Sequence, residues 1–415
     1  MPRPDHVEIV GGGIAGLVVA RRLALAGRRV TIREASDRLG GQLAPQQIAG
    51  IELDAAAESF ATRGGGVVAL LDELGLAGDV VSPEPGAAWV LRARAFGRRG
   101  GAVPLPAAGL LGIPADPASP DVERAIGRAG VRRARLDTLL PASVGARAET
   151  LGDLVAARMG RAVLDTLVAP VARGVYSREA RDLPLEVAAP LLRAALREHG
   201  SLAAAVRALR VAAPAGSLVA GIRGGMFRLA DALAAECARL GVVVETGARV
   251  DPVPPGAVLA APHPDAAPGR EVTLVTLVLE APELDGAPRG SGLLVAPGAP
   301  VAARALTHLT AKWRWVADAL PGRHALRLSY DTPPAAPVAT ALADAAVLFG
   351  RPLPQPVDAT VRTWTRASAD PAAGLRVGEP AAGVGLASVI PHAEALAATL
   401  LDDSPLREGR GRMES

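Results

Sequence analysis

Gly11, Gly13 and Gly16 stand at the G-x-G-x-x-G spacing inside "VEIVGGGIAGLVVARRLALAGRRVTIRE", residues 7–34. A strand-like run precedes them and an apolar helical pattern from Ile14 follows, stopped by Gly27. Each glycine has a mechanical reason. Gly11 makes the tight turn, Gly13 lets a pyrophosphate reach the backbone, and Gly16 packs helix on strand. The helix that opens at Ile14 and Ala15 offers its N-terminal N–H groups to the phosphates. A second strand ends at Glu34, about 20 residues past the glycines, where an acid accepts ribose hydroxyls. Strand, glycine turn, helix, strand and acid together predict a dinucleotide site.

The following residues separate the dinucleotides. In "ASDRLGGQLA", Arg38 precedes the pair Gly40-Gly41. A second glycine pair just after the ribose acid suggests backbone packed against more cofactor, as for a flavin lying extended across the domain. The stretch resembles the E-x-x-x-R-x-G-G pattern of amine-oxidase-like flavoproteins, with Gln42 where those usually carry a basic residue. Near the other end, Gly383 and Gly385 precede an Ala-rich helix that starts at Leu386. That turn aims a helix N-terminus at the edge of a flavin where the charge of the reduced form collects. Glu379 sits where the amine-oxidase-like group has an acid on the ribityl chain, and Val250 is assigned to the same site. The cofactor expected is FAD, held non-covalently.

These residues need large supporting domains. The chain has 415 residues, half of them hydrophobic, enough for two domains and sizeable cores. The formal charge is only +3 and aromatics make up 2%. With no basic stripe and no stacking surface, a nucleic-acid partner is not expected. The single cysteine, Cys237, excludes an intrachain disulfide framework and fits a reducing cytosol, so the expected location is cytoplasmic. It falls in a helical pattern as a small core residue. No run reaches the roughly 18 apolar residues of a membrane helix, which leaves peripheral membrane contact open. The six histidines (6, 199, 263, 308, 324 and 392) show no ligand-like spacing, and no metal site is expected.

The fold class expected is α/β, with a discontinuous Rossmann-like FAD-binding domain, a β-sheet substrate domain and an inserted helical domain. The FAD domain takes residues 1–82, 221–262 and 372–403. Residues 83–220 read as a mostly helical, substrate- or membrane-facing domain. Residues 263–371 read as a β-rich substrate domain, and 404–415 as a tail.

Larger stretches carry a resemblance over nearly the whole chain. "ETLGDLVAARMGRAVLDTLVAPVARGVYSREARDLPL" and "LREHGSLAAAVR" look like the helical core of the porphyrinogen oxidases, where a G-V-Y turn and an E-x-H-G-S-L segment recur. "ESFATR", "LTAKWRW" and "GVGLASVI" match the same family. The ESF and KW elements look more like the Gram-positive branch, which acts on coproporphyrinogen III, than the branch acting on protoporphyrinogen IX. The resemblance implies FAD, molecular oxygen as acceptor, and six-electron aromatisation of a tetrapyrrole in haem biosynthesis, and it leaves open hand-over to a downstream haem-pathway enzyme. Hydride goes to the flavin, so no catalytic acid or base is assigned. Arginine is the natural partner of propionates. Arg63, after Ser59-Phe60, Arg92 and Arg94 in a basic cluster with Arg98 and Arg99, and Lys312, the sole lysine, are the substrate-binding candidates. Two other readings stay open: a flavin amine oxidase or carotenoid-type desaturase, and a flavoprotein without turnover. The last rests on the short passage from Asp370-Pro371-Ala372-Ala373 into "GLRV", where the family runs through a further turn and helix.

Overall fold

The computed structural model describes residues 6–93, 100–141, 143–176, 178–211, 219–262, 269–366 and 374–402. Its first sheet is parallel, in the order Val243–Glu245, Arg29–Arg33, His6–Val10, Val258–Leu259. A single bridge from Leu259 to Arg376 ties in the C-terminal segment. Three stretches far apart in sequence thus build one layer. The helix Ile14–Leu25 packs on Phe227–Arg239 and Leu386–Asp402, burying Leu17, Val18, Leu233, Cys237 and Ile390. Each fully buried aliphatic side chain contributes roughly 1.5–3 kcal/mol. Burial pushes the Cys237 thiol up to about 12, so it is an inert core residue.

Arg21 and Arg22, at the end of the apolar run, knit these helices together. Arg21 is buried and reaches Glu73 and Glu236, each at 2.5 Å. Arg22 pairs with Glu73 at 2.7 Å and Glu394 at 2.6 Å.

The second sheet has seven strands, ordered Asp358–Arg366, Arg270–Leu279, His324–Tyr330, Ala305–His308, Gly292–Val295, Ala88–Arg92, Gly101–Pro104. Its last two strands come from the stretch expected to be mostly helical. They are short, and the first is recruited by parallel pairing with Gly292–Val295, a segment remote in sequence, which no local pattern reveals. The helix Pro337–Phe349, also unanticipated, covers the sheet through Ala341, Ala345 and Leu348. Proline at its start and left-handed Gly350 at its end are ordinary helix signals.

The helical layer explains two of the family motifs. Arg158 and Asp137 form a fully buried ion pair at 2.5 Å. Asp137 also accepts from the N–H groups of Leu202 and Ala203, and so caps the helix Leu202–Val211. Arg158 donates to the Gly200 carbonyl at the end of Leu192–His199. The His-Gly-Ser-Leu turn is thereby fixed from both sides. The Gly-Val-Tyr segment lies in a π-helical turn, Ala172–Tyr176, whose Tyr176 hydroxyl donates to the Ala188 carbonyl. Among the described residues no helix is long and apolar enough to cross a membrane.

Candidate active site

The glycines of the first motif divide into two kinds. Gly11 has φ +106°, and a Cβ there would meet the Ala260 backbone at 2.9 Å. A Cβ on Gly16 would lie 2.1 Å from the Gly11 carbonyl oxygen. These two are glycine because backbone touches backbone. Gly13 has an ordinary φ of −71° and nothing within 4 Å of a Cβ. It faces open space at the head of Ile14–Leu25, a helix with no side-chain cap and no acid in its first turn. Uncapped N–H groups beside an open glycine suit an approaching pyrophosphate.

Glu34 faces this turn. Its Oε2 accepts from the Gly12 N–H at 2.6 Å, and Oε1 accepts from the Ser36 N–H and hydroxyl at 2.8 and 2.7 Å. The Arg38–Gly41 turn folds onto the same place. Gly40 N–H donates to the Gly12 carbonyl at 2.8 Å, and a Cβ on Gly41 would lie 3.3 Å from the Gly13 Cα. Arg38 donates to the Gly41 and Leu43 carbonyls, so its guanidinium holds the turn in shape. Val250 is half-buried, two residues past Ala248, whose N–H donates to the Glu34 carbonyl.

The C-terminal turn closes the cradle. Gly378 sits against Ala15, and Glu379 is held by Arg366 at 3.6 Å and Gln42 Nε2 at 3.5 Å. Gln42, which replaces the basic residue usual in the resembling flavoproteins, thus binds the C-terminal acid across the site. Gly383 and Gly385 have φ +84° and +91° and open space where a Cβ would be. Leu386 starts the helix Leu386–Asp402, again with no acid in its first turn. Of the expected cofactor residues, the structure brings the two N-terminal turns, Glu34, the Val250 loop and Glu379 into one continuous set of contacts. The residues present fit an FAD: an open glycine for the pyrophosphate, a carboxylate for the ribose, and a helix start behind a second open glycine turn.

The substrate candidates fare differently. Lys312 Nζ pairs with Glu58 Oε1 at 2.8 Å, with both side chains largely buried. The two motif fragments that carry the resemblance, ESF and KW, therefore meet. Glu58 is shared with buried Arg327 at 3.4 Å, which also donates to the carbonyls of Asp54 and Ala56. Burial raises Asp54 to about 6, against the pull of backbone N–H donors and Arg327. Trp313 is 2% exposed and packs in the core over Gly221. Its buried indole N–H has no hydrogen-bond partner, and the residue lines a small cavity with Leu53, Glu58, Trp315 and Arg327. Arg92 donates to the carbonyls of Arg124 and Ala125, just before the kink at Gly127 in the helix Pro120–Arg135. Arg63 is exposed on the turn after Phe60–Ala61. Arg94, with Arg98 and Arg99, lies outside the described residues.

Two polar groupings escape a reading by spacing. Arg173, Arg270 and Arg304 gather around Asp331. His308 and His324 are buried and joined, Nε2 to Nδ1, at 3.0 Å, with His324 Nε2 3.0 Å from Asp285. Burial, with His324 beside it, pushes His308 down to about 3.

Residues 14–257 match the family model described as flavin containing amine oxidoreductase. Coproporphyrinogen III oxidase of Mycobacterium tuberculosis is 32% identical over 424 aligned residues, covering 91% of each chain. The Mycobacterium leprae enzyme of the same name is 30% identical over 419, covering 90% of this chain and 91% of its own. This chain belongs to the porphyrinogen oxidase family of flavin-containing amine oxidoreductases. In fold it is similar to a proposed protoporphyrinogen oxidase from Exiguobacterium sp. 255-15, with a TM-score of 0.79 at 22% identity, over 95% of this chain and 98% of the other. As a member of this family the protein is an FAD-dependent oxidoreductase. Bound FAD supplies a two-electron acceptor, which is the chemistry the side chains lack. The chain's own residues bind and orient it.

Proposed function

We propose that the protein oxidises coproporphyrinogen III to coproporphyrin III in haem biosynthesis. The observation that carries this reading is similarity over 91% of the chain, at 32% identity, to a relative named coproporphyrinogen III oxidase. The meeting of Glu58 and Lys312 supports it, because the two fragments that resemble the Gram-positive branch act together as one ion pair. In the overall reaction six electrons and six protons leave the porphyrinogen, and three molecules of oxygen take them up as hydrogen peroxide. The protein's part is to hold the flat macrocycle against the cofactor and keep both in register. No strong general acid or base is required, because the pyrrole N–H groups release their protons to water. The test is aerobic turnover of coproporphyrinogen III by the purified holoprotein, following porphyrin fluorescence and oxygen uptake together. Three oxygen molecules consumed per porphyrin formed is the result expected. Bound FAD with no porphyrin formed above the uncatalysed rate would overturn the reading and favour a flavoprotein without turnover.

A further inference from the structure

At one buried residue the seven-stranded sheet takes hold of the chain that leads out of the cofactor cradle. Arg327, on the strand His324–Tyr330, is 5% exposed. Its Nη2 donates to the Asp54 carbonyl, and Nη1 donates to the Ala56 carbonyl at 3.0 Å and to Glu58 Oε2 at 3.4 Å. Nε donates to Thr276 Oγ1 at 3.2 Å. Burial lowers the pKa of this guanidinium, against the pull of Glu58 and Asp54. A buried cation is costly unless its donors are met, and here they are met mainly by residues 54–58. Arg327 does not stand alone. Arg327, Thr276 and Thr360 lie directly opposite one another on three adjacent strands, so they share one face of the sheet. Gln46 binds two of the three, donating to Thr276 at 3.2 Å and accepting from Thr360 at 2.9 Å.

The segment that this row grips is tied to the cradle by two routes. Along the chain, Ala55 N–H donates to the Ala44 carbonyl at 2.7 Å. Ala44 follows the turn Gly40–Gln42, whose Gln42 reaches Glu379 across the site. Across the fold, Asp54 Oδ1 accepts from the Phe227 N–H at 3.0 Å, at the start of the helix Phe227–Arg239. Ala230 of that helix backs the same turn: a Cβ on Gly40 would lie 2.7 Å from the Ala230 Cβ. Both routes therefore end at Gly40–Gln42. Gly13 and Glu34 stand on the first sheet and its helix, and none of the Arg327 contacts reaches them. A turn fixed in advance binds more tightly, because less ordering is left to the moment of binding.

We propose that Arg327 is a positioning residue for the cofactor: by fixing residues 54–58 against the sheet it sets the Gly40–Gln42 turn, and with it the hold on FAD beyond the adenosine end. The test reads binding in the full-length holoprotein. Holoprotein is diluted in series, released FAD is read from flavin fluorescence, and ADP is added as competitor. Arg327→Lys keeps the charge but loses the fork that spans several acceptors. It should weaken FAD by about tenfold and leave ADP within about twofold, and Arg327→Met should weaken FAD further. Asp54→Ala cuts only the route to the helix start and should show the same split. Burial already raises the Asp54 carboxyl to about 6, so the fold loses little with it. Holoprotein Tm at saturating FAD confirms folding, and should the Arg327 variants fail to fold, Asp54→Ala decides alone. Unchanged FAD affinity would overturn the assignment. Equal weakening of FAD and ADP would overturn it too, because a general loosening of the fold does not tell the two ligands apart. Porphyrinogen turnover is not read, so failure of the oxidase reading leaves this result standing.

Discussion

The cofactor cradle and the arginine cluster around Asp331 are built by opposite means. The cradle is made of backbone: Gly11 and Gly16 are small because main chain presses on main chain, Gly13 because space is left open, and Glu34 braces the turn. The cluster is made of long side chains from four separate stretches, Arg173, Arg270, Arg304 and Asp331, joined only by the fold. A backbone site is specified by close spacing and tolerates little change. A side-chain cluster is specified by topology, one long-range pairing at a time.

The sharpest way to break the comparison is within the cradle. Gly16→Val drives a side chain into the Gly11 carbonyl and should cost about 3 kcal/mol or more, lowering Tm and leaving the protein colourless. A Cβ at Gly13 meets no protein atom, so Tm of the Gly13→Val apoprotein should hold while FAD binding is lost. Flavin absorbance and thermal melts of both variants check this. If Gly13→Val retains FAD, the open glycine is not the place of approach.

A smaller loss is expected where the ESF and KW fragments meet. Lys312→Met leaves Glu58 largely buried with only the longer contact to Arg327, at a cost of about 2–3 kcal/mol. Pairing it with Glu58→Gln should cost less than the sum of the singles. Denaturant melts of the cycle measure the coupling, and strict additivity would show that the ion pair contributes nothing.

The smallest effect is a pH dependence from a buried histidine. His308 is held neutral by burial, its pKa lowered from 6.5 to about 3. The folded state therefore resists a proton that the unfolded chain accepts. Stability is full above pH 6.5 and falls as pH drops towards 3, by about 1.4 kcal/mol per unit, or about 2 kcal/mol at pH 5. His308→Leu, packing against Phe349, should flatten the acid limb of a Tm-against-pH curve. An unchanged limb would assign it to other groups.

The cradle was legible because its spacing is local: Gly11 to Gly16, Glu34, and Arg38 to Gly41 lie within about 30 residues and obey one geometric rule. Within it, the Arg38 guanidinium also holds the carbonyls of its own turn, a contact that the motif spacing does not show. The substrate side was not legible. In a chain with one lysine and abundant arginine, side-chain type carries little information, and Arg92 reads the same on paper whether it meets a ligand or a kinked helix. Arg270 and Arg304 come together only because their strands belong to one sheet, with the strand leading into Asp331 between them. The pairing of His308 with His324 is likewise a product of adjacent strands.

On the proposed reading the flavin cradle serves a tetrapyrrole that carries propionates. Steady-state kinetics on two porphyrinogens test that reading most directly. Coproporphyrinogen III carries four propionates and protoporphyrinogen IX two, so a site that reads carboxylates should favour the former by at least about tenfold in kcat/KM. Equal kcat/KM values, or a preference for protoporphyrinogen IX, would contradict it.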